Sequence, residues 1–406
     1  MRKKILLLSY AFTPLSAPES FLNAKLALCL SDFDVDVLTV DTSSLDLGMD
    51  GSLEWLVQKT FKNIYRVTPP DWLTSTIFKY LRFFAVFPDR FGLLNHLMFK
   101  RATRLPISQY DIIFTWSQWH SIHQVGQKLK LANPGVFWIA HLSDPWADNP
   151  FNPKIPGFSL IQRWFERQTF KEADQIHFTS EETIELVRKK YPPSVSSKFV
   201  FLPHVYVSSL MKKKVKSDSS EIFIRYMGNF YGHRTPNIFL EAFKMLVTEE
   251  PSLLQNVRVE FWGRWIGKRD PFKELDVSLK KYVTFMRPIN YIDSLDLMSS
   301  TDILLLIDAP FKKSVFFPSK LVDYIGAERP IFAVTPEGTA ADKIRQYGGV
   351  VVDPVDVNKI KNALRDTLTL FGKSEGLPIN KKMVSQYEVK TVSKLYKEAL
   401  QRLLNN

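Results

Sequence analysis

Short apolar runs alternate with amphipathic stretches along almost the whole chain, and a sequence with that rhythm has few ways to fold. KILLLSY, VDVLTVD, YDIIFTW, VFWIAHL, QIHFTS and FVFLPHV read as buried strands. ESFLNAKLALCL, SIHQVGQKLKL, residues 159–172 and EETIELVRKKY have helical spacing between them. Strand–helix–strand alternation predicts parallel α/β architecture with helices on both sheet faces. The polar stretch MKKKVKSDSSE, residues 211–221, has no apolar face and reads as a linker or a solvated loop. After it the rhythm restarts with EIFIRYMG, VRVEFWG, VTFMRP, DILLLID, PIFAVT and GGVVVD as strands. The expected fold class is α/β, with two facing domains, parallel sheets and an interdomain cleft. The domains span residues 1–208 and 219–376, and residues 377–406 form a terminal helix. In open parallel sheets ligands bind beyond the carboxyl ends of the strands, so the functional residues are expected in the loops that follow strands.

The composition is that of a globular chain: 45% apolar and 24% charged over 406 residues. The single cysteine, Cys29, excludes an intrachain disulfide framework and cysteine-based metal sites. A net charge of +12 favours anionic partners: nucleic acid, an acidic membrane surface or a phosphorylated substrate. Met1-Arg2-Lys3-Lys4 before ILLLSYAF mimics a signal peptide but reads better as a first strand. No run of 18 apolar residues suggests a spanning helix. Residues 72–105 mix large apolar residues with Lys79, Arg82, Arg90, Lys100, Arg101 and Arg104. They read either as an interfacial membrane segment or as amphipathic core helices broken at Pro88.

The most informative run is FFPSKLVDYIGAERPIFAV, residues 316–334. Pro318 suits a helix start, Ser319 lies just inside it, and Lys320 and Asp323 follow on adjacent helical positions. A helix start offers free N–H groups to an anion, and Lys320 adds a full positive charge. Asp323 has the chemistry to accept bonds from a pair of ribose hydroxyls. Spacing alone is equally compatible with an i, i+3 surface ion pair. A second run, YMGNFYGHRTPNIFLEAFKML, residues 226–246, ends a strand in Gly228-Asn229 and places Arg234 before a helix. Gly228 lets a ligand approach the backbone, and Arg234 can fork onto phosphate oxygens or face water.

These runs resemble the donor-nucleotide motifs of retaining glycosyltransferases with the GT-B fold of two Rossmann-like domains, particularly glycosyltransferase family 4. The resemblance covers most of the chain and is strongest over residues 110–151 and 223–353. It implies that Lys320 and Arg234 clamp a diphosphate and that Asp323 meets the ribose. Gly228, Asn229, Ser319 and Leu321 line the donor, and Arg287, Pro288 and Ile289 lie beside the base. The chain departs from the family in carrying Asp323 where Glu is usual and Val315 at the position of a second Glu. In the first half, Ser121, His123, Asp144, Pro145 and Trp146 fall on a Ser-x-His and Asp-Pro-Trp pattern. His123 is then a partner for a donor or acceptor hydroxyl, Asp144 an orienting carboxylate or base, and Trp146 a sugar platform or a packing residue. Ser16 stands in the loop after the first strand, where family members often carry Gly.

The resemblance implies a glycosyltransferase acting with retention of configuration on a nucleoside-diphosphate-sugar. Catalysis falls to His123, Asp144, Arg234 and Lys320, with neither metal nor further cofactor. The first domain becomes the acceptor side and the second the donor side. With the basic charge and residues 72–105, the expected acceptor is a lipid-linked or polysaccharide intermediate. The expected place is the cytoplasm, at the inner face of the membrane. The competing readings are a sugar-nucleotide epimerase on the same fold and a basic nucleic-acid-binding protein. The second is weakened by the dispersal of the basic residues.

Overall fold

A computed structural model describes residues 2–43, 45, 47–73, 89–212, 220–266, 273–372 and 378–405. The chain forms two units, one of residues 1–205 with 389–406 and the other of residues 206–388. The divisions fall at Val205/Tyr206 and Glu388/Val389, so residues 377–388, expected with the terminal helix, belong with the second unit.

The first unit holds seven strands: β1 Lys4–Ser9, β2 Asp34–Val40, β3 Asn63–Val67, β4 Ile112–Trp116, β5 Phe137–Leu142, β6 Gln175–Phe178 and β7 Phe199–Phe201. They pair in the order β3-β2-β1-β4-β5-β6-β7, all parallel. β4 is buried along its whole length, as a strand covered on both faces must be. Gly126 lets the Ile122–Ala132 helix sit hard on this sheet, since a Cβ there would fall 2.4 Å from Trp138 Nε1. β3 was not foreseen, because NIYRV is half-buried throughout and its apolar signal is weak.

In the second unit β8 Ile222–Met227, β10 Val257–Trp262, β12 Val283–Met286, β13 Ile303–Ile307, β14 Ile331–Val334 and β15 Val350–Val352 make a parallel sheet. Their order is β12-β10-β8-β13-β14-β15, and β9 Phe230–Tyr231 pairs separately with β11 Trp265–Ile266. Counted within the sheet, this is 3-2-1-4-5-6, a doubly wound order in which ligand sites form where the winding reverses. The reversal lies between β8 and β13.

The Val389–Asn405 helix packs against residues 28–30 of the first unit, burying Val392, Tyr396, Leu400 and Leu403. Lys397 reaches Asp32 at 2.7 Å. Residues 74–88, half of the expected interfacial segment, lie outside the described residues. The remainder follows the core reading, with Phe91, Leu94, Met98, Ala102 and Leu105 all buried. Arg101 lies over the Tyr65 ring at 4.7 Å. Among the described residues no helix is long and apolar enough to cross a membrane.

Candidate functional site

The strand-order reversal of the second unit carries three ionisable side chains with unspent bonding capacity. β13 delivers Asp308 at its carboxyl end, almost fully enclosed. Arg234, in the turn before the Asn237–Glu249 helix, donates from Nη2 to Asp308 Oδ1 at 2.7 Å and from Nη1 to Tyr231 Oη at 3.2 Å. Lys320 extends from the second position of the Ser319–Ala327 helix until its Nζ lies 3.7 Å from the centroid of the Tyr226 ring. Lys320 Nζ, Arg234 Nε and Asp308 Oδ2 are all buried without a hydrogen-bond partner among the described residues. Buried polar groups are seldom left so.

Gly228 closes the cradle. Its φ of +126° lies in a region that side chains rarely adopt. A Cβ there would stand 2.7 Å from Lys320 Nζ. The chain continues into Asn229, whose Oδ1 accepts from the Arg264 N–H at 2.9 Å. Asn229 therefore braces the loop.

Burial drives the Lys320 ammonium well below its usual value, Arg234 pushes it the same way, and Asp308 opposes them. Burial also disfavours charge on Arg234, but Tyr226, Asp308 and Tyr231 outweigh it and the guanidinium stays charged. Asp308 thus balances Arg234, and Lys320 has no counter-charge of its own among the described residues. Such a site favours an anion that restores the Lys320 proton and fills the unused donors. The free N–H groups at the start of the Ser319–Ala327 helix have the same preference. Asp308 and Tyr226 were not singled out in the sequence. The signal for Asp308 was its place as the last residue of DILLLID.

The other expected donor residues divide. Ser319 is half-buried beside Lys320. Leu321 is wholly in the core, which corrects its expected donor contact. Asp323 is 4% exposed and accepts from Tyr291 Oη at 2.9 Å. It points into the packing between the Ser319–Ala327 and Tyr291–Ser299 helices, where it is occupied by a protein hydroxyl. Arg287 and Pro288 are exposed in the loop after β12, two strands from β8. Ile289 beside them is half-buried.

The carboxyl edge of the first unit is filled differently. Ser121 is locked inside, donating from N and Oγ to Asp89, both at 2.7 Å. Trp146 is buried rather than a platform. Its Nε1 donates to Gln162 Oε1 at 2.5 Å, and its ring stacks on His120 with centroids 4.8 Å apart. His123, on the first turn after β4, bonds through Nδ1 to Thr115 Oγ1 at 2.8 Å. Thr115 Oγ1 accepts from Trp138 Nε1 and has one proton to give, with the Ile139 carbonyl at 3.2 Å and His123 Nδ1 both in reach. His123 Nε2 is buried with no partner among the described residues. Burial, with smaller contributions from His120 and His141, drives the imidazole well below its usual range and keeps it neutral.

Asp144 is half-buried and Ser16 exposed. Beside Asp144 stands Glu19, a residue the sequence reading passed over because its position opens an ordinary helix. It is buried and accepts from Ser143 Oγ. Burial, then the charge of Asp144, pushes its carboxyl up to about 8 against the pull of Ser143. Among the described residues no group of three or more His, Cys, Asp or Glu side chains is arranged to hold a metal ion.

No protein-family model matches the sequence, and neither does any curated protein. Solved structures do match over nearly the whole chain. The Anabaena protein Alr3699/HepE, solved in complex with UDP and glucose, is similar at 15% identity and a TM-score of 0.68 over 98% of this chain and 100% of its own. Sucrose-phosphate synthase from Thermosynechococcus elongatus is similar at 16% identity and a TM-score of 0.68, covering both chains fully. An E. coli trehalose-6-phosphate protein bound with UDP-2-fluoro glucose is similar at 10% identity and 0.68, over 100% of this chain and 99% of its own. At such identities the likeness establishes the fold. It is the GT-B fold, with one seven-stranded and one six-stranded parallel sheet.

Proposed function

We propose that the chain transfers a sugar from a nucleoside-diphosphate-sugar to an acceptor, with retention of configuration. The observation that carries this reading is the cradle in which Lys320 Nζ and Arg234 Nε are buried together with unused bonding capacity. A diphosphate brings the oxygens both groups lack. Arg234, held by Asp308, forks onto one phosphoryl group, and Lys320 takes the other with the helix N-terminus behind it. As the sugar–phosphate bond breaks, negative charge grows on the departing oxygen and the two fixed cations stabilise it. The reading assigns that work to side chains rather than to a metal. Solved structures of the same fold hold UDP, UDP with glucose, and UDP-glucose, which supports a nucleotide-sugar donor.

The acceptor side is assigned to the first unit. His123 Nε2, on a neutral ring and without a partner among the described residues, suits a sugar hydroxyl, which can both donate and accept. Asp144 suits an acceptor hydroxyl, with Glu19 as its protonated neighbour. A lipid-linked or polysaccharide acceptor fits a basic chain working at a membrane face. Binding of nucleoside diphosphates and their sugars tests the proposal through thermal shift, with Lys320→Ala and Arg234→Ala as controls. A shift in the parent chain that vanishes in both variants supports it; a shift unchanged in both moves the site elsewhere. Incubation with donor alone separates transfer from epimerisation, because an epimer as product belongs to the latter.

A further inference from the structure

The loop of residues 143–157 and the Phe158–Glu172 helix behind it carry a second surface that the donor chemistry does not use. The helix turns Phe158, Gln162, Glu166, Thr169 and Phe170 inward. Its outer face shows Leu160 69% exposed, Trp164 56% and Ile161 39%, three large apolar side chains within five residues. Phe151, in the preceding loop, is 38% exposed. Single exposed apolar residues are ordinary, but a cluster this dense marks an interaction surface.

The exposed charge beside the cluster is mainly basic; the half-buried Asp148 of the preceding loop lies 3.9 Å from Arg163 and also pairs with Lys190. Leu160 and Trp164 are one turn apart on one stripe, and Arg163 and Arg167, also one turn apart, run alongside it. Both arginines and Lys154 are exposed. The acids of the helix do not offset them. Glu166 is buried and accepts from Ala147 N at 2.9 Å and Tyr191 Oη at 2.7 Å. Glu172 is half-buried and pairs with Lys171 at 3.5 Å. An apolar stripe containing Trp, flanked by arginines with no exposed acid between them, matches the boundary of an anionic bilayer. There indole and alkyl groups enter the headgroup level and guanidinium groups meet phosphates. A second copy of this chain is a poor occupant, since a two-fold contact through this face would bring both copies' Arg163 and Arg167 into one interface.

We propose that the outer face of the Phe158–Glu172 helix docks on an anionic lipid bilayer, inserting Leu160, Ile161 and Trp164 between headgroups while Arg163 and Arg167 hold lipid phosphates. The inner face couples this docking to the loop that carries Asp144. Gln162 accepts from Trp146, Glu166 accepts from Ala147, and Asn152 Nδ2 donates to the Trp146 carbonyl at 2.8 Å. A loop fastened to the docking helix is held at the lipid surface, where a lipid-linked acceptor of the proposed function would arrive. The docking itself stands on the helix and not on that function.

Vesicle flotation of the full chain tests it, using phosphatidylcholine with and without phosphatidylglycerol at low and high salt. Flotation only with the anionic lipid, weakened by salt, is expected. Leu160→Ser with Trp164→Ser, and separately Arg163→Glu with Arg167→Glu, should each lower the partition coefficient by at least about tenfold. Because Arg163 and Arg167 also face Glu166 and Asp148, Arg163→Gln with Arg167→Gln is the control that should keep melting temperature and nucleotide thermal shift at parent values while still lowering vesicle partition, as should Leu160→Ser with Trp164→Ser. No flotation of the parent chain, or equal flotation of parent and both variants, overturns the proposal. Binding to polyglutamate without binding to vesicles also overturns it, in favour of an acidic protein partner. A parent chain that floats but shows no nucleotide shift defeats the sugar-transfer reading and leaves the docking intact.

Discussion

The two carboxyl edges of this molecule share a winding order and differ in what they do with buried polar groups. At β8 and β13 the chain keeps a charged pair, Arg234 against Asp308, and sets beside it Lys320, whose ammonium burial and Arg234 drive well below its usual value until an anion arrives. At β1, β4 and β5 it neutralises charge. Glu19 is raised to about 8, while burial lowers His120 and His141 to about 3 and His123 well below its usual range. An edge with a lysine that an anion can recharge invites a phosphate, whereas an edge where most buried titratable groups are neutral around the Asp144 carboxylate suits uncharged hydroxyls.

The sharpest way to break the contrast is to remove the charge. Lys320→Ala and Arg234→Ala should each lower kcat/KM with a nucleotide-sugar by about 10²–10³-fold and abolish the nucleoside-diphosphate thermal shift. Because burial and Arg234 lower the Lys320 ammonium before binding, diphosphate binding should take up a proton. Calorimetry in two buffers of different ionisation enthalpy measures that uptake. Equal heats in both would mean that Lys320 is already protonated in the free protein and that burial does not lower it as described.

The opposite edge gives the next effect. The folded Glu19 carboxyl, near 8, lies above its ordinary 4.5, so the folded state binds the extra proton. Its stability contribution is complete below pH 4.5 and is lost as pH rises from there through about 8. A shift of that size corresponds to roughly 3–5 kcal/mol across the window. Glu19→Gln should flatten the decline in melting temperature of the first unit between pH 5 and 8, and an unaltered slope would show that Glu19 is ionised when folded. Gly228→Ala should destabilise the second unit by about 1–3 kcal/mol through backbone strain, and its crowding of Lys320 should weaken diphosphate binding. The smallest effect is expected from Tyr291→Phe, about 1 kcal/mol of stability in urea unfolding. Unchanged nucleotide affinity in that variant would support a structural role for Asp323, whereas a tightened ribose contact would restore its role at the donor.

Much of this was legible in the sequence. Strands such as ILLLI declare themselves because burial on both faces forces a continuous apolar run. NIYRV, half-buried at every position, gives no such signal. Lys320, Arg234 and Gly228 stood out because short motifs place them after strands. Asp308 did not, since an acid ending an apolar run also reads as a surface boundary. Trp146 was ambiguous because aromatic residues serve equally as platforms and as core, and only the packing of His120 and Gln162 decides. The outer face of the Phe158–Glu172 helix was missed for a related reason. Its apolar residues lie on both sides of the helix, and sequence periodicity does not say which side meets the sheet.

The division at Val205 and at Glu388 has a consequence for how the molecule is made. Residues 206–388 are an uninterrupted segment whose ends leave it side by side, with Tyr206 N donating to the Tyr387 carbonyl at 3.0 Å. The other unit is completed only when Val389–Asn405 has been synthesised and seated against residues 28–30. The half that begins first on the ribosome is therefore the half that finishes last. A nonsense codon shortly after Glu388 should cripple that earlier-started portion while sparing the later one.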